Sequence, residues 1–167
     1  MSSTKNASRL GDWVPRRTIK AVNRTGATLV TGDVVCLDLA GSDGDVDDYT
    51  TFIADTTPDP QASPLANVIY PTTAKIGAGT IFLVYCGTDS LADNAIGEFG
   101  LQGKFKVRIT STAINADVPI MAQNATGPCV AATQGNAVIG ITLEANSSTA
   151  GAYWCLFDGW ALNTTYA

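Results

Sequence analysis

Short apolar runs broken by turn residues recur along the whole 167-residue chain. Their period is two. The plainest case is Lys104-Phe-Lys-Val-Arg-Ile109, where cations alternate with apolar side chains as in a strand with one wet and one buried face. Thr18-Ile-Lys-Ala-Val-Asn23 alternates in the same way, and Val34-Val-Cys-Leu-Asp-Leu39, Asn67-Val-Ile-Tyr70, residues 118–122 and residues 137–143 are further β-prone runs. Arg24-Thr-Gly26, Thr31-Gly32-Asp33 and Asn115-Ala-Asp117 separate them as turns, an interval that points to hairpins. Residues 90–96 are the one stretch that predicts a helical turn, with Asp89 or Ser90 as its cap.

Two runs are denser than the rest: Gly79-Thr-Ile-Phe-Leu-Val-Tyr-Cys-Gly87 and Gly151-Ala-Tyr-Trp-Cys-Leu-Phe-Asp-Gly159. Large apolar groups fall at matching places in both, as in strands wedged between two turns. The two halves of the chain also share an order of phrases. Ile19-Lys-Ala-Val resembles Phe105-Lys-Val-Arg, Gly32-Asp-Val-Val-Cys-Leu resembles Ala116-Asp-Val-Pro-Ile-Met, Asn67-Val-Ile-Tyr resembles Ala137-Val-Ile-Gly, and each series ends in a glycine-flanked run. The expected architecture is all-β: a compact β-sandwich or β-barrel of two similar antiparallel halves, neither able to bury its apolar face alone. Residues 1–16 read as an extended N-terminal arm, 17–160 as a single β domain and 161–167 as a C-terminal tail.

Composition narrows the chemistry. The chain is 46% hydrophobic and only 15% charged, enough for one real core and unlike a coiled coil or a disordered tail. It contains no histidine, which removes Ser-His and Cys-His catalysis and most transition-metal sites. No Gly-x-Ser-x-Gly elbow or phosphate-binding loop occurs. Asp43-Gly-Asp45-Val-Asp47-Asp48 places carboxylates at alternate positions but fails the EF-hand pattern, with Asp48 where glycine is required and Ala54 where glutamate is. It reads as a solvated loop, followed by a stiff one carrying Pro58, Pro60 and Pro64. Cys36, Cys86, Cys129 and Cys155 are far apart, without a C-x-x-C pair, and read as buried thiols. The expectation is therefore no enzyme, no cofactor and no metal. Five N-x-S/T sequons accompany a start with no apolar leader, so they read as Asn/Thr-rich turns of a protein made in a cytoplasm. No run approaches the roughly 18 apolar residues of a membrane helix, and no membrane partner is expected.

Charge is divided. Residues 1–24 carry Lys5, Arg9, Arg16, Arg17, Lys20 and Arg24 against Asp12 alone, a net +5 on a chain of net −5, so the remainder carries −10. An acidic body repels phosphate backbones, and a nucleic-acid partner is not expected. The arm reads as a protein-docking element, with Arg9, Trp13, Arg16 and Arg17 as its contact candidates. Trp160 and Tyr166 form a second contact candidate in the tail. Trp154, inside an apolar run, reads as a core or subunit-interface residue.

Asn23-Arg-Thr-Gly-Ala-Thr-Leu-Val-Thr-Gly-Asp-Val-Val35, followed by Asn115-Ala-Asp-Val-Pro-Ile-Met121, Gly127 and Asn136-Ala-Val-Ile-Gly-Ile-Thr-Leu-Glu144, resembles capsid decoration (cement) proteins of tailed bacteriophages. The resemblance covers about residues 17–159 and rests on β-turn phrases without catalytic content; the loops at 40–64 and the arm have no counterpart in it. It implies a virion structural protein on the outer surface of the expanded head, commonly a homotrimer, that binds the major capsid protein and ties neighbouring subunits together. A sugar- or receptor-binding module of a fibre or tail is the alternative, requiring exposed aromatic rings around a groove. A small hydrolase working through carboxylates is the third.

Overall fold

The computed structural model describes residues 16–38, 65–72, 80–110, 113–145 and 151–159. Nine strands make up its regular structure: β1 (Arg17–Asn23), β2 (Val34–Leu37), β3 (Ala66–Ile69), β4 (Phe82–Tyr85), β5 (Ile96–Ile109), β6 (Pro119–Ala122), β7 (Cys129–Ala131), β8 (Gly140–Thr142) and β9 (Gly151–Asp158). The all-β expectation holds, and among the described residues there is no helix. Residues 90–96, expected to form a helical turn, instead carry a bridge between Leu91 and Leu29, a tight turn at Asp93-Asn94 and the start of β5. Asn94 takes a φ of 63°, which closes that turn and leaves no room for a helical run.

The strands close into two rings. Pairing runs β1-β3-β2-β4-β5 and returns from β5 to β1, then runs β5-β7-β6-β8-β9 and returns from β9 to β5. Each ring has five strands, and the 14-residue β5 serves both. Residues 96–102 of β5 lie against β1 and β4; residues 102–109 lie against β9 and β7. Gln102 is opposed by Arg17 on one strand and by Asp158 on another, so the start of β1 and the end of β9 flank the middle of the shared strand.

The rings repeat each other strand for strand. In the first, β1 is parallel to β3 and the other four pairings are antiparallel. In the second, β5 is parallel to β7 and the other four are antiparallel. Registers agree as well. Ile19 faces Phe99 as Phe105 faces Cys155, Val34 faces Val84 as Pro119 faces Ile141, Tyr85 faces Phe99 as Thr142 faces Cys155, and Leu37 faces Val68 as Ala122 faces Cys129. Backbone bonds outside the strands match too: Gly32 N donates to Tyr85 O as Asp117 N donates to Thr142 O, both at 2.8 Å. Cys86 N donates to Glu98 O at 3.1 Å as Leu143 N donates to Trp154 O at 2.9 Å.

The expectation of two similar halves therefore stands, with two corrections. The halves are not purely antiparallel, because each contains one parallel pair. The two glycine-flanked runs are not counterparts: β4 corresponds to β8, and β9 to the first part of β5. Of the matched phrases, Ile19 with Phe105 is in true register, Gly32 with Ala116 is one residue off, and Asn67 with Ala137 is wrong because β3 corresponds to β7. The reason is redistributed volume. Gly140 stands where the first ring has Leu83, Thr142 where it has Tyr85 and Cys155 where it has Phe99, while Phe105 and Phe157 replace Ile19 and Leu101. Cores tolerate such exchange when total volume is kept, and sequence similarity is lost in the process.

Two cores follow. One holds Ala21, Leu29, Val35, Val68, Leu83, Tyr85, Leu91 and Phe99 inside the first ring. The other holds Phe105, Val107, Ile109, Ile114, Ile120, Ala122, Cys129, Ile139, Cys155 and Phe157 together with Val34, Cys36, Phe82 and Val84 of the first ring. Successive side chains on β2 and β4 thus enter different cores, which is why Val-Val-Cys-Leu and Phe-Leu-Val-Tyr show no alternation.

Candidate docking surface

The phrase at residues 23–35 is a folding device. Asn23 is buried, and its Nδ2 lies 2.8 Å from Ala27 O, 3.1 Å from Leu91 O and 3.0 Å from Ala92 O, while its Oδ1 accepts from Thr25 N and Thr25 Oγ1 at 3.0 and 2.7 Å. This is an Asx turn, completed by Gly26 at φ +73°. Gly32, at φ +91°, backs onto the second ring so closely that a Cβ there would stand 2.8 Å from Arg108 N. Asp33, 2% exposed, accepts from Arg108 Nη1 at 2.6 Å and from Val30 N at 2.8 Å. Val34 N donates to Gly127 O at 2.7 Å and Arg108 N to Gly32 O at 2.8 Å. Residues 32–34 are the joint between the rings, a role the sequence did not disclose for either Asp33 or Arg108.

Of the six contact candidates, Arg9, Trp13, Trp160 and Tyr166 lie outside the described residues, as do the acidic and proline-rich loops at 40–64. Arg17 opens β1 and is exposed. Arg16 is held in place. Its Nε donates to Lys104 O at 2.9 Å, and its Cζ lies 5.2 Å from the Phe105 ring centroid and 5.8 Å from that of Trp154.

Two further cations share the same indole. Lys104 Nζ is 5.3 Å and Lys106 Nζ 5.6 Å from the Trp154 ring centroid. They project outward by the alternation of β5, whose Phe105 and Val107 point into the core, and Lys106 is directly opposite Trp154 across the β5–β9 pair. The alternation at 104–109 was the available signal for these lysines; what placed Trp154 beside them was the β5–β9 register. Trp154 itself is half-buried on the outer face, neither in the core nor free-standing. Its backbone N donates to Glu144 Oε1 at 2.8 Å. Cation–aromatic contacts of this kind are worth about 0.5–1 kcal/mol each at exposed sites.

Arg16, Phe105 and Lys106 line a hollow of about 120 Å³ with Thr31 and Cys86. Small-molecule sites run to about 300–1,000 Å³, so this hollow suits a single side chain better than a sugar ring or metabolite. Cys86 is no nucleophile at neutral pH. Burial, reinforced by the charge of Glu98 and opposed by Arg16, pushes its thiol up to about 11, and Sγ donates to Glu98 O at 3.1 Å. Burial also pushes the Cys155 thiol up to about 12 and that of Cys129 well above its ordinary value. All four cysteines are free thiols. Among the described residues, no group of three His, Cys, Asp or Glu side chains is placed to hold a metal ion, and no helix is long and apolar enough to cross a membrane.

No protein-family model matches this chain, and no curated protein sequence does. Among solved structures, it is similar to the crystal structure of the N base of the head fiber gp8.5 in bacteriophage phi29, at 8% identity and a TM-score of 0.49, over 91% of this chain and 100% of that one.

Proposed function

We propose that this chain is a structural virion protein of a tailed bacteriophage that binds the outside of the expanded head as a homo-oligomer, a trimer by preference, and cements neighbouring major capsid subunits. It acts without catalysis or cofactor. The observation that carries this reading is the cationic cluster where the basic N-terminal segment of the sequence meets the body: Arg16 is pinned to the outer wall of the second ring by a bond to a backbone carbonyl and by two aromatic rings, beside Lys104 and Lys106. The motif resemblance at residues 23–35 and 115–144 supports the same role. A protein that binds only the expanded lattice stabilises it by mass action, and many weak contacts per particle act together.

The alternative of a sugar-binding module is disfavoured by Trp154. Three cations stand over its ring, 5.3–5.8 Å from the centroid, and compete with a sugar for that surface.

Co-sedimentation with purified expanded heads tests the proposal. The full chain is expected to pellet with heads and to raise their resistance to heat, and deletion of residues 1–15 to weaken both effects. Failure of the full chain to bind heads removes the reading; binding unchanged by the deletion removes the arm from it. Selective capture of a glycan would promote the alternative.

A further inference from the structure

The repeated register lets each surface of the second ring be compared with the same surface of the first. On the first ring, the outward positions of β2 and β4 are Val34, Cys36, Phe82 and Val84, all 0% exposed because they belong to the second core. Gly100 on β5 continues that face and lies beneath the Phe105 ring, 2.5 Å from where its Cβ would stand. The face is a seat, and a unit of this same chain occupies it.

At the matching positions the second ring carries Pro119 and Met121 on β6, Val130 on β7, Ile141 on β8 and Leu156 on β9, while Ile139, the counterpart of Phe82, precedes β8 and is buried in the second core. The first five belong to neither core, and they adjoin across the sheet: Met121 opposite Val130, Pro119 opposite Ile141, Ile141 opposite Leu156. Ile141 is 40% exposed and the other four are half-buried. Where the first ring carries Gly100, cleared for Phe105, the second carries Leu156, which adds apolar surface. An apolar face at the centre of a sheet is an interaction site rather than scatter.

We propose that this face is the seat for a second copy of the chain. The partner's identity follows from the occupied seat: the equivalent surface is already built to receive a unit of this repeat. Charge agrees. Leu156 is opposite Lys104 and Trp154 opposite Lys106, so the seat has a cationic edge completed by Arg16, while the chain beyond residue 24 carries net −10. A seat filled by a different surface of the next copy is a heterologous contact, which closes into a ring of subunits when its rotation permits. The inference rests on the self-association part of the reading above and names the surface responsible.

Light scattering across a concentration series, with Ile141→Asp, tests it. The full chain is expected to run as a multimer and the variant at single-chain mass, with unchanged circular dichroism and a melt that stays cooperative but no longer depends on concentration. Met121→Lys, at a half-buried position, serves the same purpose if the first variant does not fold. A full chain that is monomeric throughout, or a folded variant that assembles as its parent does, overturns the proposal. A variant that assembles but no longer binds heads also overturns it, assigning the face to the capsid. Intact assembly lost on Ile141→Asp, in a protein that binds no heads, supports the seat while removing the capsid reading.

Discussion

Replacing Gly100 by alanine tests the joint at the point where the two rings are closest. Gly100 is buried on β5, and an added Cβ would stand 2.5, 2.6 and 2.7 Å from Cζ, Cε1 and Cε2 of Phe105. Ordinary carbon contacts need about 3.5–4.0 Å, so one partner has to move by roughly 1 Å. Phe105 is 2% exposed and packed within the second core, and β5 is held on both edges, so neither moves freely. Overpacking of this kind costs about 1–3 kcal/mol. At the middle of that range, about 2 kcal/mol, a chain of this length is expected to melt roughly 4–8 °C lower. The assay is urea and thermal unfolding of four proteins: the parent, Gly100→Ala, Phe105→Leu and the double variant. Phe105→Leu destabilises by itself, but it removes the ring edge that the new methyl meets, so alanine at 100 is expected to cost much less in that background. A cost for Gly100→Ala below about 0.5 kcal/mol, within the scatter of ordinary surface changes, or one of equal size in both backgrounds, would show that the rings are not packed at this point as described.

Two further outcomes follow from the joint and from the buried thiols. Asp33→Ala removes a buried carboxylate bonded to Arg108 and to Val30 N, and is expected to cost about 2 kcal/mol; because Arg108 is about a third exposed it recovers solvent, and a cycle with Arg108→Ala should show coupling between the two sites. Additive costs in that cycle would refute the ion pair as a tie between rings. Cys86 and Cys155 keep their protons in the folded state up to about 11 and about 12, against 9.0 ordinarily. Their stabilising contribution is therefore complete below pH 9.0 and is lost as pH rises through the folded values. Urea midpoints should fall in that alkaline window and fall less steeply in Cys155→Ala; equal slopes in the two proteins would count against the assignment.

What was legible in the sequence is the part carried by local alternation. Lys104-Phe-Lys-Val-Arg-Ile109 and Thr18-Ile-Lys-Ala-Val-Asn23 each have one wet and one dry face, and the phrases containing them were matched in register. Val34–Leu37 and Phe82–Tyr85 lost that signal because both of their faces are buried, in different cores. The repeat beyond its first two strands was hidden by exchanges such as Leu83 with Gly140 and Tyr85 with Thr142, which conserve packing rather than residue type. Arg16 was singled out for its charge, and its actual surroundings depend on Trp154, 138 positions later in the chain and adjacent only through the register of β5 with β9. Asp33 looked like a turn residue because its partner, Arg108, is brought to it by the closing of the second ring.

The double pairing at Gln102 has a mechanical consequence. From there β1 leads back toward Lys104, where Arg16 is bonded, while β9 leads on toward Leu101, whose carbonyl accepts from Gly159 N at 2.8 Å. Tension applied between Arg16 and Gly159 would pull these two strands in opposite directions along β5. Ladder hydrogen bonds lie across the strand axis, so such a load arrives in shear and is shared by many bonds at once instead of opening them one by one. A tether running through this body is loaded in its strong direction.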